Sequence, residues 1–277
     1  MKYINDTGTT TYQDGAVPII KFNNLSKLDF VDHAFSTRLG GVSTGEYFSM
    51  NLTHTRNDIP ACVDRNFEII AQRLGVSTSD MVYAKQTHTT NVLAVDKSRA
   101  GMGVTRERNF DNIDGLITNE PGVVLVTSYA DCVPVFFADP VAHAIGLSHS
   151  GWRGTVGNIS KSTIELMCSE YGCKRENIIC FIGPSICRDC YEIGEDVAKE
   201  FATVYSDDKV LTKSEITAGK YYLDLHRANY LNLINSGIPD KNIGITDICT
   251  CCNPDILYSH RASKGRRGGL CGFLWIK

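Results

Sequence analysis

A chain of 277 residues, 43% hydrophobic and 21% charged, has an ordinary soluble composition and enough length for a substantial core. Its formal net charge of −3, with no basic run beyond the short Lys264–Arg267 patch, argues against nucleic acid as a partner, because such a footprint needs clustered Lys and Arg. No stretch approaches the roughly 20 apolar residues that span a bilayer, and the opening Met1–Ala16 has no apolar core of the signal-peptide kind. A cytoplasmic location with no membrane partner is expected.

The eleven cysteines are expected as thiols rather than a disulfide framework. Cys187-x-x-Cys190 and the Cys249-x-Cys251-Cys252 cluster invite a structural zinc reading, which needs four ligands at closed tetrahedral spacing. Cys251 and Cys252 are adjacent, an awkward geometry for one shared metal, so a second metal site is not expected.

In chain order, Val17–Phe22 and His33–Thr37 read as short strands, and residues 1–28 as a peripheral segment. The loop Arg38–Gly45 holds three glycines and several hydroxyls but lacks the Gly-Lys-Ser/Thr ending of a P-loop. Ala61–Leu74 is the clearest helix: Val63, Phe67, Ile70 and Leu74 make one apolar stripe. Asp58 and Pro60 mark its start and Gly75 its stop. Met81–Ala84 and Asn91–Val95 read as a strand pair around Lys85-Gln86-Thr87-His88, and residues 97–113 as a mobile polar excursion.

Gly122–Val126, Val133–Ala138 and Ala144–Leu147 are β-branched and aromatic runs, read as buried strands joined by tight turns. They place Asp131-Cys132 and His149-Ser150-Gly151-Trp152-Arg153-Gly154 at the ends of neighbouring strands. Helices are expected over Ile159–Tyr171, Glu195–Tyr205 and from Asp224 to Ser236, and strands over Ile178–Ile182 and Gly272–Ile276. This alternation implies one α/β domain over residues 1–277 with helices covering a mixed sheet.

Of seven histidines, His88, His149 and His260 lie in loop-like surroundings, whereas His33, His54, His143 and His226 sit in patterned segments and read as structural. His88, Cys132 and His149 make a His₂Cys set, and three protein ligands with a fourth position open is how catalytic zinc is held. Imidazole and thiolate suit copper as well. A different chemistry has Cys132 as nucleophile with His149 as its base. A metal-binding or redox-sensing module without turnover is a third reading.

Several motifs then follow one order: Phe35-Ser36-Thr37-Arg38 with Gly40-Gly41-Val42-Ser43, Asn51-Leu52, Gln86-Thr87-His88, Asp114-Gly115-Leu116, Ala130-Asp131-Cys132-Val133-Pro134, His149–Gly154, Gly183-Pro184-Ser185-Ile186, Cys190-Tyr191-Glu192-Ile193-Gly194 and Tyr258-Ser259-His260-Arg261. That order resembles the YfiH family, also called the multicopper polyphenol oxidase (laccase)-like or purine nucleoside phosphorylase LACC1-like family, from about residue 30 onward. His260 stands where the family more often has Arg, and Cys251 and Cys252 lie outside its pattern.

The resemblance implies an αββα-type sandwich with mixed sheets and zinc held at His88, Cys132 and His149. It implies phosphorolysis of adenosine, inosine or methylthioadenosine and deamination of adenosine; monomer and homodimer both stay open. Ser36, Arg38, Asn51, Gln86, Arg153 and Arg261 become the candidates for binding nucleoside and phosphate, Arg38 and Arg153 because a guanidinium grips phosphate bidentately. Asp131 would act as general acid or base on the purine. The family's laccase label implies copper instead, but a multicopper cluster draws on His-x-His pairs and this chain has none. Cytidine-type zinc deaminases are disfavoured, since neither His-x-Glu nor Pro-Cys-x-x-Cys occurs.

Overall fold

The computed structural model describes residues 1–277 apart from Asp6 and Asp208. The first strands are Thr10–Gln13 (β1), Ile19–Phe22 (β2), Val31–Ser36 (β3), Met81–Tyr83 (β4) and Val92–Ala94 (β5). Gly115–Thr118 (β6), Val124–Tyr129 (β7), Val133–Asp139 (β8) and Ala144–Ser150 (β9) follow. Ile179–Ile182 (β10), Glu192–Gly194 (β11), Leu211–Lys213 (β12), Lys220–Leu223 (β13), Ile243–Ile245 (β14) and Leu270–Ile276 (β15) complete them. The α-helices are Pro60–Leu74 (α1), Trp152–Val156 (α2), Ile159–Tyr171 (α3), Glu195–Val204 (α4) and Leu225–Asn235 (α5).

One six-stranded sheet runs β1-β2-β3-β15-β7-β4 and a second runs β14-β10-β8-β9-β6-β5, with β11-β13-β12 as a small third sheet. Both large sheets are mixed: β4–β7, β5–β6 and β10–β14 pair in parallel, the other neighbours antiparallel. Strand periodicity explains how they stack. In β8, Phe136 and Ala138 enter the core between the sheets, while Val133, Val135 and Phe137 face the helix side. In β15, Leu270, Leu274 and Ile276 face inward, and Cys271, Phe273 and Trp275 meet α1. Strands buried on both faces read as unbroken apolar runs.

Four layers result. On the outer face of the first sheet, α1 lays down Val63, Phe67 and Ile70, and α3, α4 and α5 cover the second sheet with Ile164, Met167, Phe201 and Leu233. The αββα expectation holds. Pro60 opens α1, while Asp58 accepts from Ser43 Oγ (2.7 Å) and Asn51 Nδ2 (2.8 Å), and Gly75 closes the helix at φ 70°.

Three local expectations change. The runs over 81–84 and 91–95 do not pair: β4 joins the first sheet against β7, and β5 the second against β6. The loop after β5 is tied to β4 through Gly101 N to Met81 O (2.8 Å) and Tyr83 N to Met102 O (2.9 Å), burying Met102. Residues 1–28, expected at the periphery, supply β1 and β2 and fully bury Ile19, Ile20, Phe22 and Leu25.

Phe22 stacks on Phe181 (centroids 4.2 Å) and His33 (5.1 Å) and meets Phe136 edge-on (4.9 Å), bridging both sheets. Phe22→Ala is expected to cost about 3–5 kcal/mol through lost burial and the cavity left behind. Urea unfolding of both proteins measures it. A loss below about 1 kcal/mol would mean that the site collapses freely.

Candidate metal centre and active site

Three elements bring the donors together. Antiparallel pairing sets Pro134 opposite His149, so Cys132, just before β8, falls beside the imidazole. His88 arrives on the turn after β4 in a left-handed conformation (φ 66°). One ligand atom from each of His88, Cys132 and His149 lies within 4.8 Å of the others. Gly151 closes the cradle: a Cβ there would meet His88 Cδ2 at 2.8 Å, Cys132 Sγ at 3.2 Å and His149 Cε1 at 3.6 Å.

Asp114, immediately before β6, organises this cluster. One oxygen accepts from His149 Nδ1 (2.8 Å) and His88 N (3.0 Å). The other accepts from Thr87 N (3.0 Å), Thr89 N (2.9 Å) and Thr89 Oγ1 (2.9 Å). A proton held on Nδ1 leaves Nε2 of His149 free for a metal, the outer carboxylate fixing tautomer and ring plane. Gln86 adds a second anchor, since its amide exchanges hydrogen bonds with Ser128 N (2.7 Å) and Ser128 O (2.8 Å).

Charge coupling fits the geometry. Burial opposes the Cys132 thiolate, but His149 and then His88 outweigh it and bring the thiol down to about 6. Burial likewise opposes a charged His149, yet the Cys132 thiolate and Asp114 lift it to about 9. Asp114 falls to about 2 against its own burial, through His149 and the backbone donors. A polarised thiol, two imidazoles and an outer carboxylate form a donor set suited to a metal ion with one position left open.

Two cavities flank the centre, of about 170 and 350 Å³, the larger within the range of small-molecule sites. Arg56, His88, Ala130, Cys132 and Arg267 line both. The second cavity is walled by Trp152, Arg153, Ile186, Tyr191 and Leu225. Arg56 Nε and Arg267 Nε are buried without a hydrogen-bond partner among the described residues. Burial, and then Arg56 nearby, pull Arg267 down to about 10. Two guanidiniums near each other, each with a buried Nε that lacks a partner, suit an anion.

The family model described as multi-copper polyphenol oxidoreductase laccase matches residues 32–277. The chain belongs to this family. It is 34% identical over 246 residues to a Bacillus subtilis protein named purine nucleoside phosphorylase YlmD, covering 88% of this chain and 87% of that one. It is also 34% identical to adenosine deaminase RL5 from an unknown prokaryotic organism, covering 86% and 93%. The crystal structure of Bacillus licheniformis hypothetical protein YfiH superposes with a TM-score of 0.90 at 29% identity, covering 96% and 99%.

Within this laccase-like fold the sequence candidates separate into two groups. Gln86, Asp131, Cys132, His149, Arg153 and Arg261 line the cavities. Asp131 (φ 84°) accepts from Thr250 Oγ1 and Arg261 N, both at 2.7 Å, so both carboxylate oxygens are engaged. Arg153 lies 4.1 Å over the Trp152 ring and Arg261 5.2 Å over Tyr191. Ser36, Arg38 and Asn51 lie outside both linings. Ser36 Oγ accepts from Cys271 N (2.9 Å), and Asn51 Oδ1 from Gly269 N (2.9 Å). The Arg38 guanidinium holds Phe48 O (2.9 Å) and Pro254 O (2.7 Å) and stacks on Tyr258.

Sequence reasoning missed the role of Asp114, although it stands in the Asp114-Gly115-Leu116 motif, and missed Arg56 and Arg267 altogether. No spacing marks those two arginines. The sequence reading weighed Cys251 with Cys252, but the fold groups the cysteines differently: Cys187, Cys190, Cys249 and Cys252 bring their sulfurs within 4.8 Å of one another, and Cys251 is not in the group. The apparent obstacle vanishes because the pair to read is Cys249-x-x-Cys252, not the adjacent residues.

Asp114→Asn is expected to weaken metal binding about 10- to 100-fold, the usual cost of losing an outer carboxylate. Competition against a chromophoric chelator reads the affinity directly. An unchanged value would show that Asp114 orders the loops without acting on the centre.

Proposed function

We propose that this chain is a zinc-dependent purine nucleoside enzyme that cleaves adenosine, inosine or methylthioadenosine with phosphate and deaminates adenosine. The observation that carries the reading is a three-donor His88–Cys132–His149 centre flanked by two cavities that share Arg56 and Arg267. The names of the relatives, purine nucleoside phosphorylase and adenosine deaminase, supply the substrate class.

Two imidazoles and a thiolate fit zinc, which when bound supplies Lewis acidity at an open coordination position. In phosphorolysis a phosphate oxygen bonds to ribose C1′ as the glycosidic bond breaks. The purine leaves with the electron pair and takes up the proton that the attacking hydrogen phosphate gives up. Arg56 and Arg267 are positioned to grip the phosphate, relieving their mutual repulsion, and Arg153 adds a third cation at the same cavity. Trp152 and Tyr191 offer flat aromatic surface to the base. Asp131, with both oxygens engaged, holds Arg261 and Thr250 in place. Deamination instead adds water at purine C6 and expels ammonia, with no demand on the phosphate grip.

Incubating zinc-loaded protein with adenosine and with inosine, with and without phosphate, tests the reading. Chromatography separates free base, ribose 1-phosphate and inosine, and turnover of neither nucleoside would sink it. Arg267→Lys and Arg153→Lys keep charge but lose the bidentate fork. Phosphate-dependent inosine cleavage should fall about 10- to 100-fold in kcat/KM, chiefly through KM for phosphate, while deamination suffers less. Equal loss of both activities would assign these arginines to the shared substrate or to structure.

The family name favours a copper oxidase as the second reading. Among the described residues, however, the groups able to hold a metal are one set of two histidines and a thiol and one of four thiols, a poor match to a histidine-rich copper cluster. Purine turnover is expected to persist in copper-free protein, and copper-loaded protein to oxidise phenols weakly. Blue absorbance with multicopper stoichiometry would reverse the order of the two readings. A Cys132 nucleophile with His149 as base predicts instead that Cys132→Ser leaves bound zinc unchanged.

A further inference from the structure

Away from the reaction centre, four thiols converge from two Cys-x-x-Cys turns. Cys187 and Cys190 bracket the turn between β10 and β11, and Cys249 and Cys252 the turn after β14. We infer that Cys187, Cys190, Cys249 and Cys252 form a second, structural metal site that takes zinc through four thiolates. This inference is independent of which reaction the His88–Cys132–His149 centre performs.

The geometry fits the ion closely. Zinc–sulfur bonds of about 2.3 Å in a tetrahedron set the sulfurs about 3.8 Å apart. All four sulfurs lie within 4.8 Å of one another, and Cys190 Sγ is 3.4 Å from Cys252 Sγ. Backbone amides already point at the cluster: Cys187 N donates to Cys249 Sγ (3.2 Å) and Cys252 N to the same sulfur (3.4 Å). Such donors stabilise the negative charge that thiolates bring to a metal. Zinc would displace one proton per thiol, each sulfur donating an electron pair, with no change of oxidation state.

Two rival accounts fit less well. Core thiols pack singly against apolar neighbours, as Cys180 and Cys271 do, fully buried in separate clusters. The four here gather sulfur to sulfur at a partly exposed turn, Cys190 and Cys252 being half-buried. A disulfide needs sulfurs about 2.05 Å apart, and all four cysteines are free.

The position of the site suggests what it does. Thr250, inside the second turn, is the donor to Asp131 Oδ1 (2.7 Å), and Ile186, beside the first, donates its N–H to Asp131 O (3.0 Å). Tyr191 follows Cys190 directly and walls the second cavity, while Arg261 Nη1 reaches Cys190 O (3.4 Å). A metal here would clamp the two segments that hold Asp131, Tyr191 and Arg261 against the reaction centre.

The test uses the full chain, purified under reducing conditions, as wild type, Cys132→Ser, Cys251→Ser and Cys252→Ser. Elemental analysis is expected to find about two zinc ions per chain in wild type and Cys251→Ser, and about one in Cys132→Ser. Cobalt supplied to Cys132→Ser protein should develop intense sulfur-to-metal charge-transfer bands from the four-thiol site alone. Adding Cys252→Ser to that variant should abolish them. If Cys252→Ser protein fails to fold, Cys132→Ser with all four thiols intact still decides the matter. Cys132→Ser protein that binds neither zinc nor cobalt would overturn the inference, whether its thiols titrate as free or intact mass shows two hydrogens lost to a disulfide. One zinc in both wild type and Cys132→Ser would support this site and count against zinc at the reaction centre.

Discussion

A carboxylate taken out of water is tolerated only when its oxygens find donors enough to replace the lost hydration. Asp114, fully buried, meets that condition with the His149 imidazole, three successive backbone amides and the Thr89 hydroxyl. The same bonds set the turn that carries His88 and the ring plane of His149. Two of the three members of the His88–Cys132–His149 cluster therefore depend on one buried charge. Breaking such a network by removing one partner is costly, about 3–5 kcal/mol, because the other groups stay buried and unpaired.

Sheet topology explains why the centre lies where it does. The chain leaves the first sheet at Tyr129 and enters the second at Val133, so Ala130-Asp131-Cys132 is the crossing between layers. His149 sits on the neighbouring strand of the second sheet, and His88 on the turn leaving β4 of the first. Asp131 and His88 both hold positive φ, at 84° and 66°. Each costs about 1–2 kcal/mol for a residue with a Cβ. That strain is retained where side chains must be aimed at one point, and the bonds to Asp114, Thr250 and Arg261 hold it.

Local charge around the centre runs opposite to the whole molecule. The net charge of −3 is that of the whole chain. The cavities beside the His88–Cys132–His149 cluster instead gather Arg56, Arg153, Arg261 and Arg267, with buried Nε atoms on Arg56 and Arg267 that find no partner among the described residues. A field of this kind acts over one cleft, so the total charge of the chain says nothing about a small anion.

The sequence alone was enough for the helices at 60–74 and 159–171, the buried strands of the second sheet and the grouping of His88, Cys132 and His149. Their signals are local: an apolar stripe, a capping glycine, a β-branched run ending in a polar break. Periodicity says which face of an element is buried but not against what, so β4 and β5 looked like partners although they belong to different sheets. For the same reason Ser36, Arg38 and Asn51, which line neither cavity beside the centre, could not be told from Gln86 and Arg153, which line one each. Arg56, Arg267 and the four-cysteine cluster were decided by tertiary structure alone. Their groups are far apart along the chain, and only the packing of two sheets and the loops between them determines which side chains meet.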